Sequence, residues 1–166
     1  MAAKKRAVYA GSFDLLTFGH LWMIEKAADQ FASLMVAVGK NPKKKGMFSI
    51  EDRVKMLEEA TAHLDNVEIG TFGEQYLFEY AREVEAEVLL RGIRNTDDYS
   101  FERMMRNFNG DYAPELLSVI LLPPRELEDV SSSFVKELIG FNNWEEVIPK
   151  YAPEPVVKRI LEMHRG

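Results

Sequence analysis

Short apolar runs alternate with segments of helical spacing along most of this chain, and the alternation limits the possible folds more than any other feature. The apolar runs lie at residues 7–10, 34–38, 88–90 and 116–122, and Val-Glu-Ile at residues 67–69 is a weaker candidate strand. Between them, apolar residues recur every three or four positions, as in amphipathic helices. Strands that are apolar throughout are usually covered by helices on both faces. The pattern therefore predicts an α/β fold, a doubly wound sheet of five parallel strands.

Length and composition are those of one globular domain. The chain has 166 residues, 46% hydrophobic and 29% charged, so we expect a single domain over residues 1–166 with a short helical tail from about residue 142. The absence of cysteine excludes disulfides and thiolate metal sites. The net charge of −6, without a long basic tract, argues against a nucleic-acid partner. The first apolar run is too short for a signal peptide or membrane span, which predicts a cytoplasmic protein without a membrane partner.

The first predicted loop has the sequence Gly-Ser-Phe-Asp-Leu-Leu-Thr-Phe-Gly-His at residues 11–20. It joins an apolar run to a segment of helical spacing. A helix N-terminus offers unpaired N–H groups and the positive end of the helix dipole, which favour an anion. Gly19 allows a bound group to come close, and His20 adds a side-chain donor. The alternative is that Gly11 and Gly19 only make turns and that His20 is a capping or core histidine.

Three further polar loops follow predicted strands. They carry the lysines at residues 43–45, Arg91 with Arg94, and the serines at residues 131–133. Because the carboxyl ends of parallel strands meet at one edge, we expect these loops and the first loop to line one crevice. Arginine can bind phosphate oxygens as a fork, and serines at a helix start add further donors, so the crevice is predicted to bind phosphate groups. Solvated lysines and a single capping serine are the alternative interpretation.

A helix is expected between the arginine loop and the fifth strand. Asp97 or Asp98 can cap it, and Phe101, Met104, Met105 and Phe108 have the spacing of an apolar side. Glu102 lies within this helix, where simple surface charge is one interpretation. Neither the Gly-x-Gly-x-x-Gly dinucleotide motif nor the Walker loop occurs in the chain.

Taken together, these motifs resemble the nucleotidylyltransferase superfamily and, within it, the bacterial phosphopantetheine adenylyltransferases. The resemblance starts with Gly-Ser-Phe-Asp and Thr-x-Gly-His at residues 11–20. It continues in order with Pro-Lys-Lys-Lys-Gly-Met-Phe at residues 42–48, Arg-Gly-Ile-Arg at residues 91–94 and Val-Ser-Ser-Ser-Phe-Val-Lys-Glu at residues 130–137. One motif alone would be weak, but their order is specific. The resemblance implies a Rossmann-like nucleotidylyltransferase fold.

The reaction implied by the resemblance is transfer of an adenylyl group from ATP to 4′-phosphopantetheine, giving dephospho-coenzyme A and pyrophosphate. The implied catalytic residues are His20, Lys44 and Arg94. The acceptor would be bound by Ser12, Lys44, Leu77, Arg91 and Asn109. ATP would be bound by residues from several loops, namely Ser12, Phe13, His20, Gly92, Ile93, Arg94, Glu102, Leu127, Glu128, Asp129, Val130, Ser131, Ser132 and Ser133.

The resemblance also implies Mg²⁺ carried by the nucleotide rather than by protein ligands, a homohexamer, and feedback by coenzyme A. The chain departs from the family pattern at Leu15, where proline is usual, at Phe18, where asparagine is usual, and at Gly110, where arginine is common. Two alternatives remain open. One is the same chemistry with another acceptor, such as nicotinamide mononucleotide or a polyol phosphate. The other is a nucleotide-binding module without catalysis.

Overall fold

The computed structural model describes residues 5–39 and 45–165. Parallel strands form one five-stranded sheet in the spatial order β3-β2-β1-β4-β5. The strands are β1 (Arg6–Gly11), β2 (Ser33–Gly39), β3 (Val67–Phe72), β4 (Val88–Gly92) and β5 (Leu117–Leu121). The α/β sheet predicted from the sequence is therefore confirmed. Its strand order reverses between β1 and β4, and open α/β sheets bind ligands at such a point.

Helices connect and follow these strands. In the described part of the chain they are α1 (Phe18–Gln30), α2 (Ile50–Thr61), α3 (Leu77–Glu83), α4 (Thr96–Tyr112), α5 (Ser132–Leu138), α6 (Trp144–Val147) and α7 (Glu154–Arg165), with 3-10 turns at Arg125–Leu127 and Ile148–Lys150. Ser49 caps α2, since its hydroxyl accepts the N–H of Asp52 at 3.0 Å. Such a cap stabilises a helix by roughly 1 kcal/mol. None of the helices in the described ranges is long and apolar enough to cross a bilayer.

Side chains on the central strands alternate between two cores. In β1, Tyr9 belongs to the larger core and Ala10 lies on the side of the smaller core. In the neighbouring strand β4, Leu90 belongs to the larger core and Leu89 to the smaller. Since this alternation continues along a strand, Arg91 lies on the side of the smaller core. The two faces of the sheet therefore carry different side chains at its carboxyl edge.

The C-terminal tail packs onto the larger core. Its buried side chains are Trp144, Ile148, Ala152, Val156 and Ile160. Burying a side chain the size of leucine or isoleucine contributes roughly 1.5–3 kcal/mol. In addition, Arg159 of α7 pairs with Asp52 of α2, with 3.0 Å between Nε and Oδ1. The tail and the sheet therefore share one core.

Helix α4 differs from the sequence expectation in two respects. Its N-cap is Asn95, whose side-chain oxygen accepts the N–H of Asp98 at 2.9 Å, so neither predicted aspartate is the cap. Its apolar side is only partly covered, since Phe101 is 52% exposed and Met104 is 57% exposed, whereas Met105 and Phe108 are half-buried. The buried α4 side chains include Glu102, which turns toward the sheet edge because it pairs with an arginine there.

Candidate active site

Two cavities open at the carboxyl edge of the sheet. The histidine cavity, about 90 Å³ in volume, is lined by Tyr9, His20 and Gly92 among others. The arginine cavity, about 320 Å³ in volume, is lined by Ala10 and Arg91 among others. Tyr9 and Ala10 lie on opposite faces of the sheet, as do Gly92 and Arg91. The ends of β1 and β4 therefore form the wall between the two cavities.

His20 is held at the N-terminus of α1 by Thr17. The Thr17 hydroxyl accepts the N–H of His20 at 3.4 Å. In return, Nδ1 of His20 accepts the backbone N–H of Thr17 at 3.1 Å and lies 2.9 Å from the Thr17 hydroxyl oxygen. Because Nδ1 accepts a hydrogen bond, the proton of the neutral ring is on Nε2. His20 therefore has an Nε2–H donor available for a ligand in the histidine cavity.

The charge in the histidine cavity comes from arginine rather than from histidine. Burial, and after it the positive charge of Arg94, lowers the pKa of His20 from 6.5 to about 4. Loss of hydration disfavours the charged form of the ring, so His20 is neutral at pH 7. Arg94 itself is paired with Asp98, with 3.0 Å between Nε and Oδ2.

Gly19 allows the loop before α5 to pack closely on α1. A Cβ at Gly19 would lie 3.3 Å from the carbonyl oxygen of Val130 and 3.5 Å from the hydroxyl oxygen of Thr17. A side chain there would push apart the two walls of the histidine cavity. At Gly92 a Cβ would make only an ordinary contact, at 3.4 Å from the sulfur of Met23.

The three serines of the predicted phosphate loop have different environments. Ser131 caps α5 by accepting the N–H of Phe134 at 3.1 Å. Ser132 donates its hydroxyl hydrogen to the carbonyl oxygen of Leu15 at 2.6 Å, which ties α5 to the first loop. Both line the histidine cavity, whereas Ser133 is exposed and lines neither cavity.

Asp14, from the first loop, connects three segments of the site. Its carboxylate accepts the N–H groups of Met47 and Phe48, each at 2.9 Å, and lies 2.6 Å from the amino group of Lys136 on α5. Burial alone would raise the pKa of Asp14, but these three donors hold the pKa below its usual value of 3.8. Asp14 therefore joins the first loop, the segment after the lysines, and α5.

Arg53 supports the same loop from α2. Its Nη1 donates to the carbonyl oxygen of Ser12 at 3.2 Å, and its Nη2 donates to that of Phe48 at 2.7 Å. Its Nε is also 3.5 Å from a carboxylate oxygen of Asp14. This role of Arg53 could not be predicted from the sequence, because Ser12 lies 41 residues away.

The arginine cavity contains a charge-paired guanidinium. Arg91 donates from Nε and Nη2 to the two carboxylate oxygens of Glu102, both at 2.6 Å. Two parallel charge-assisted hydrogen bonds fix both side chains. The Nη1 group lies 3.5 Å from the carbonyl oxygen of Ala10, at the limit of a hydrogen bond. Nη1 is therefore the nitrogen of Arg91 most available to an anion.

The structure sorts the predicted residues between the two cavities. In the histidine cavity lie His20, Gly92, Arg94, Leu127, Val130, Ser131 and Ser132. In the arginine cavity lie Ser12, Leu77, Arg91, Glu102 and Asn109. Glu102, expected at ATP, thus lies with the predicted acceptor residues. The side chains of Phe13 and Ile93 are buried, while Glu128 and Asp129 are exposed and line neither cavity. Lys44 lies outside the described residues.

Sequence reasoning missed the apolar wall of the arginine cavity and one polar residue of the histidine cavity. The wall comprises Phe72, Phe101, Met105 and Ile120, which arrive from three different elements. No local pattern reveals that convergence. The polar residue is Tyr9, which lines the histidine cavity. Its signal was available, since Tyr9 carries the one hydroxyl in the apolar run at residues 7–10.

The fold and the two cavities define the general class of the protein. Residues 8–138 match the cytidylyltransferase-like family. The nicotinic acid mononucleotide adenylyltransferase of Plasmodium falciparum has a similar structure, with a TM-score of 0.67, 13% identity and 96% coverage of each chain. A lipopolysaccharide core biosynthesis protein of Thermoplasma volcanium has a TM-score of 0.52 and 20% identity, covering 74% of this chain and 98% of that one. These likenesses identify the Rossmann-like nucleotidylyltransferase fold.

Closer relatives narrow the class. The phosphopantetheine adenylyltransferase of Chromobacterium violaceum is 49% identical, over 96% of this chain and 98% of its own length. The protein of the same name from Neisseria meningitidis serogroup C is 47% identical, over 97% and 95%. The chain belongs to the phosphopantetheine adenylyltransferase family of nucleotidyltransferases. The resemblance recognised in the sequence motifs is thereby confirmed.

Proposed function

We propose that this chain transfers the adenylyl group of ATP to the phosphate of 4′-phosphopantetheine, releasing dephospho-coenzyme A and pyrophosphate. The observation that carries the proposal is the presence of two cavities on either side of β1 and β4, each with its own arginine. A transfer between two phosphate-bearing substrates requires two anion sites that meet at one point. The relatives named for this activity supply the identity of the substrates.

ATP is assigned to the histidine cavity. His20 supplies a donor there, Arg94 supplies positive charge, and the loop with Ser131 and Ser132 closes the side opposite α1. The 4′-phosphopantetheine is assigned to the arginine cavity, where Arg91 faces its phosphate and the apolar wall accommodates the pantetheine arm. Ser12, which directly follows β1, is exposed and lines the arginine cavity.

In the proposed reaction, an oxygen of the acceptor phosphate forms a bond to the α-phosphorus of ATP, while the bond from that phosphorus to the pyrophosphate oxygen breaks. Catalysis of such a transfer depends on positioning and on stabilising the charge that develops. The Nε2–H of His20 is proposed to donate to an α-phosphate oxygen. Because Thr17 fixes the ring, this donor needs no reorganisation during the reaction.

Arginine and lysine side chains are proposed to neutralise the two substrates. Glu102 occupies Nε and Nη2 of Arg91, which leaves Nη1 for the acceptor phosphate. Lys44 is proposed to contact the same phosphate and the transferred group. Arg94 is proposed to hold the nucleotide phosphates, with Asp98 fixing its side chain.

Magnesium is proposed to arrive as part of the substrate MgATP. In the described ranges, no group of three or more His, Cys, Asp or Glu side chains is arranged to hold a metal ion. The carboxylate of Glu102 is engaged by Arg91. Mg²⁺ is commonly bound by substrate phosphates and water with few protein ligands, and the phosphates of ATP can supply those oxygens here.

A cytoplasmic location is part of the same proposal, and so are a homohexamer and feedback by coenzyme A, which follow from the family resemblance. The exposed apolar side chains on α4 and at the edge of β5 support an oligomer, because subunit interfaces cover such surfaces. Those that do not line the arginine cavity include Met104, Leu117 and Leu122. Light scattering from the purified protein tests the hexamer directly, and a monomeric mass would contradict it.

The test of the proposed function is pyrophosphate release. MgATP is offered with 4′-phosphopantetheine, nicotinamide mononucleotide or glycerol 3-phosphate in parallel, and CTP replaces ATP as the nucleotide control. We expect release only with ATP and 4′-phosphopantetheine. Release with another acceptor would reassign the arginine cavity, and no release with any acceptor would favour a non-catalytic nucleotide-binding protein.

A further inference from the structure

Tyr9 is a buried phenol in the histidine cavity that the proposed reaction does not yet use. Its side chain is 9% exposed, and it lines the cavity together with His20 and Arg94. Among the described residues its hydroxyl makes no hydrogen bond. The hydroxyl oxygen is also not fully buried. Among the described residues, the fully buried side-chain atom that lacks a hydrogen-bond partner is Nε of Arg6, not the oxygen of Tyr9. Buried hydroxyls nearly always have a partner, so this one is available to a ligand.

The position of the Tyr9 ring is fixed by its surroundings. Tyr9 lies in the central strand β1, paired with Val36 of β2 and Leu90 of β4. Its ring packs edge-on against Phe13, with 5.4 Å between centroids and an interplanar angle of 84°. Phe13 in turn packs edge-on against His20 at 5.3 Å. The hydroxyl of Tyr9 and the imidazole of His20 are therefore held in a fixed relation through one aromatic ring.

The charges around Tyr9 favour an anionic partner. Burial raises the pKa of Tyr9 to about 12, while Arg91 and Arg94 lower it and Glu102 raises it. The phenol is therefore protonated and can donate across the physiological pH range. Arg91 and Arg94 both act on the hydroxyl, although they are paired with Glu102 and Asp98. A phosphate oxygen suits a neutral donor placed beside two cations.

We propose that Tyr9 is a nucleotide-binding residue whose hydroxyl donates a hydrogen bond to a phosphate oxygen of ATP beside His20. This inference rests on the assignment of ATP to the histidine cavity. It gives the central strand a direct part in the site, in addition to the loops at its carboxyl edge. A ribose hydroxyl and a ring nitrogen of adenine are the other groups of ATP that a phenol could contact; the deoxynucleotides test the ribose, and the comparison with adenosine tests the base.

The experiment is calorimetric titration of wild type and Tyr9→Phe with MgATP, 2′-deoxy-ATP and 3′-deoxy-ATP. Phenylalanine keeps the ring and its packing but removes the donor. We expect the variant to bind all three nucleotides about 10-fold or more weakly than wild type, the scale for a hydrogen bond to a charged group. Equal affinity of the two proteins for MgATP would overturn the proposal. So would a loss that disappears with either deoxynucleotide, because it would place the contact on the ribose.

Tyr80→Phe is the matched control. Tyr80 is also buried, at 6% exposure, but belongs to the smaller core and lines neither cavity. We expect this variant to bind MgATP as wild type does.

If Tyr9→Phe fails to fold, the ring-carbon NMR signals of the tyrosines in the wild-type protein test the proposal instead. A Tyr9 signal that moves with MgATP and not with adenosine supports the proposal, and one that moves with neither overturns it. The titrations contain no acceptor. They therefore report on ATP binding by Tyr9 even if the pyrophosphate assay shows no transfer to 4′-phosphopantetheine.

Discussion

The histidine cavity and the arginine cavity are built in different ways, although they share the ends of β1 and β4. Around the histidine cavity, backbone groups and short polar side chains are connected to one another, as in the bonds from Thr17 to His20 and from Ser132 to Leu15. The arginine cavity has an apolar wall from several elements, one ion pair, Arg91 with Glu102, and a second arginine, Arg106. Its apolar side includes Phe101, which is 52% exposed.

The difference suggests how the two substrates are recognised. A nucleotide carries dense charge and needs donors in fixed positions, which a connected network supplies. A pantetheine arm is long and mostly neutral, so an apolar wall with only a few charged side chains suits it. Changes around the histidine cavity should therefore affect turnover or the affinity for ATP, whereas changes in the arginine cavity should affect the affinity for the acceptor.

The largest expected effect is that of His20→Ala. Removing the Nε2–H donor should lower kcat about 100-fold or more, the scale for loss of one donor to a transition state, with little change in ATP affinity. Steady-state kinetics and calorimetric ATP binding measure the two quantities. His63→Ala is the control, because His63 is an exposed histidine that pairs with Glu25 on the surface. Turnover within a few-fold of wild type in His20→Ala would remove His20 from the mechanism.

Asp14→Asn tests whether the hydrogen bonds of Asp14 beside the histidine cavity also stabilise the folded protein. The amide would place N–H donors against Lys136 or a backbone N–H, so we expect a loss of about 2–4 kcal/mol in the free energy of unfolding. Urea denaturation measures it. Asp52→Asn, which breaks the partly exposed pair with Arg159, should cost less than about 1 kcal/mol. Equal losses of unfolding free energy in the two variants would mean that Asp14 contributes no more to stability than an exposed ion pair does.

Asp14 also shows where sequence reasoning reaches its limit. The five strands, the order of the loops and the serine cap of α5 could be predicted, because apolar periodicity and capping residues are local signals. Asp14 was read only as part of a motif, since its partners Met47 and Lys136 lie 33 and 122 residues away. The exposure of Phe101 and Met104 on α4 could not be predicted for a similar reason. Spacing identifies an apolar stripe but not whether anything packs against it.

Glu102→Gln should sharpen the assignment of the arginine cavity. Loss of the carboxylate frees Arg91 from its bidentate pair, and we expect KM for 4′-phosphopantetheine to rise about 10-fold with KM for ATP unchanged. Glu115→Gln, which breaks the exposed pair between Arg82 and Glu115, is the control. A rise in KM for ATP alone would instead make Glu102 a nucleotide contact, as the family resemblance implies.

The smallest effect concerns pH. Because burial and Arg94 lower the pKa of His20 to about 4, its ring signals in NMR should stay nearly constant from pH 8 to pH 5. The folded pKa lies below the value of about 6.5 expected in the unfolded chain, so the unfolded chain binds this proton first. His20 therefore has no effect on stability above pH 6.5, and it lowers the free energy of unfolding progressively as the pH falls from 6.5 to 4. A titration midpoint near 6.5 would contradict the description of the histidine cavity.

The central claim, that each cavity binds one substrate, is tested most directly by comparing Arg91→Met with Arg94→Met. Both changes remove a guanidinium and keep an unbranched side chain, and KM for each substrate is measured in both variants. We predict that Arg91→Met raises KM for 4′-phosphopantetheine and spares KM for ATP, and that Arg94→Met does the opposite. Equal rises for both substrates in both variants would contradict the division of the site into two cavities.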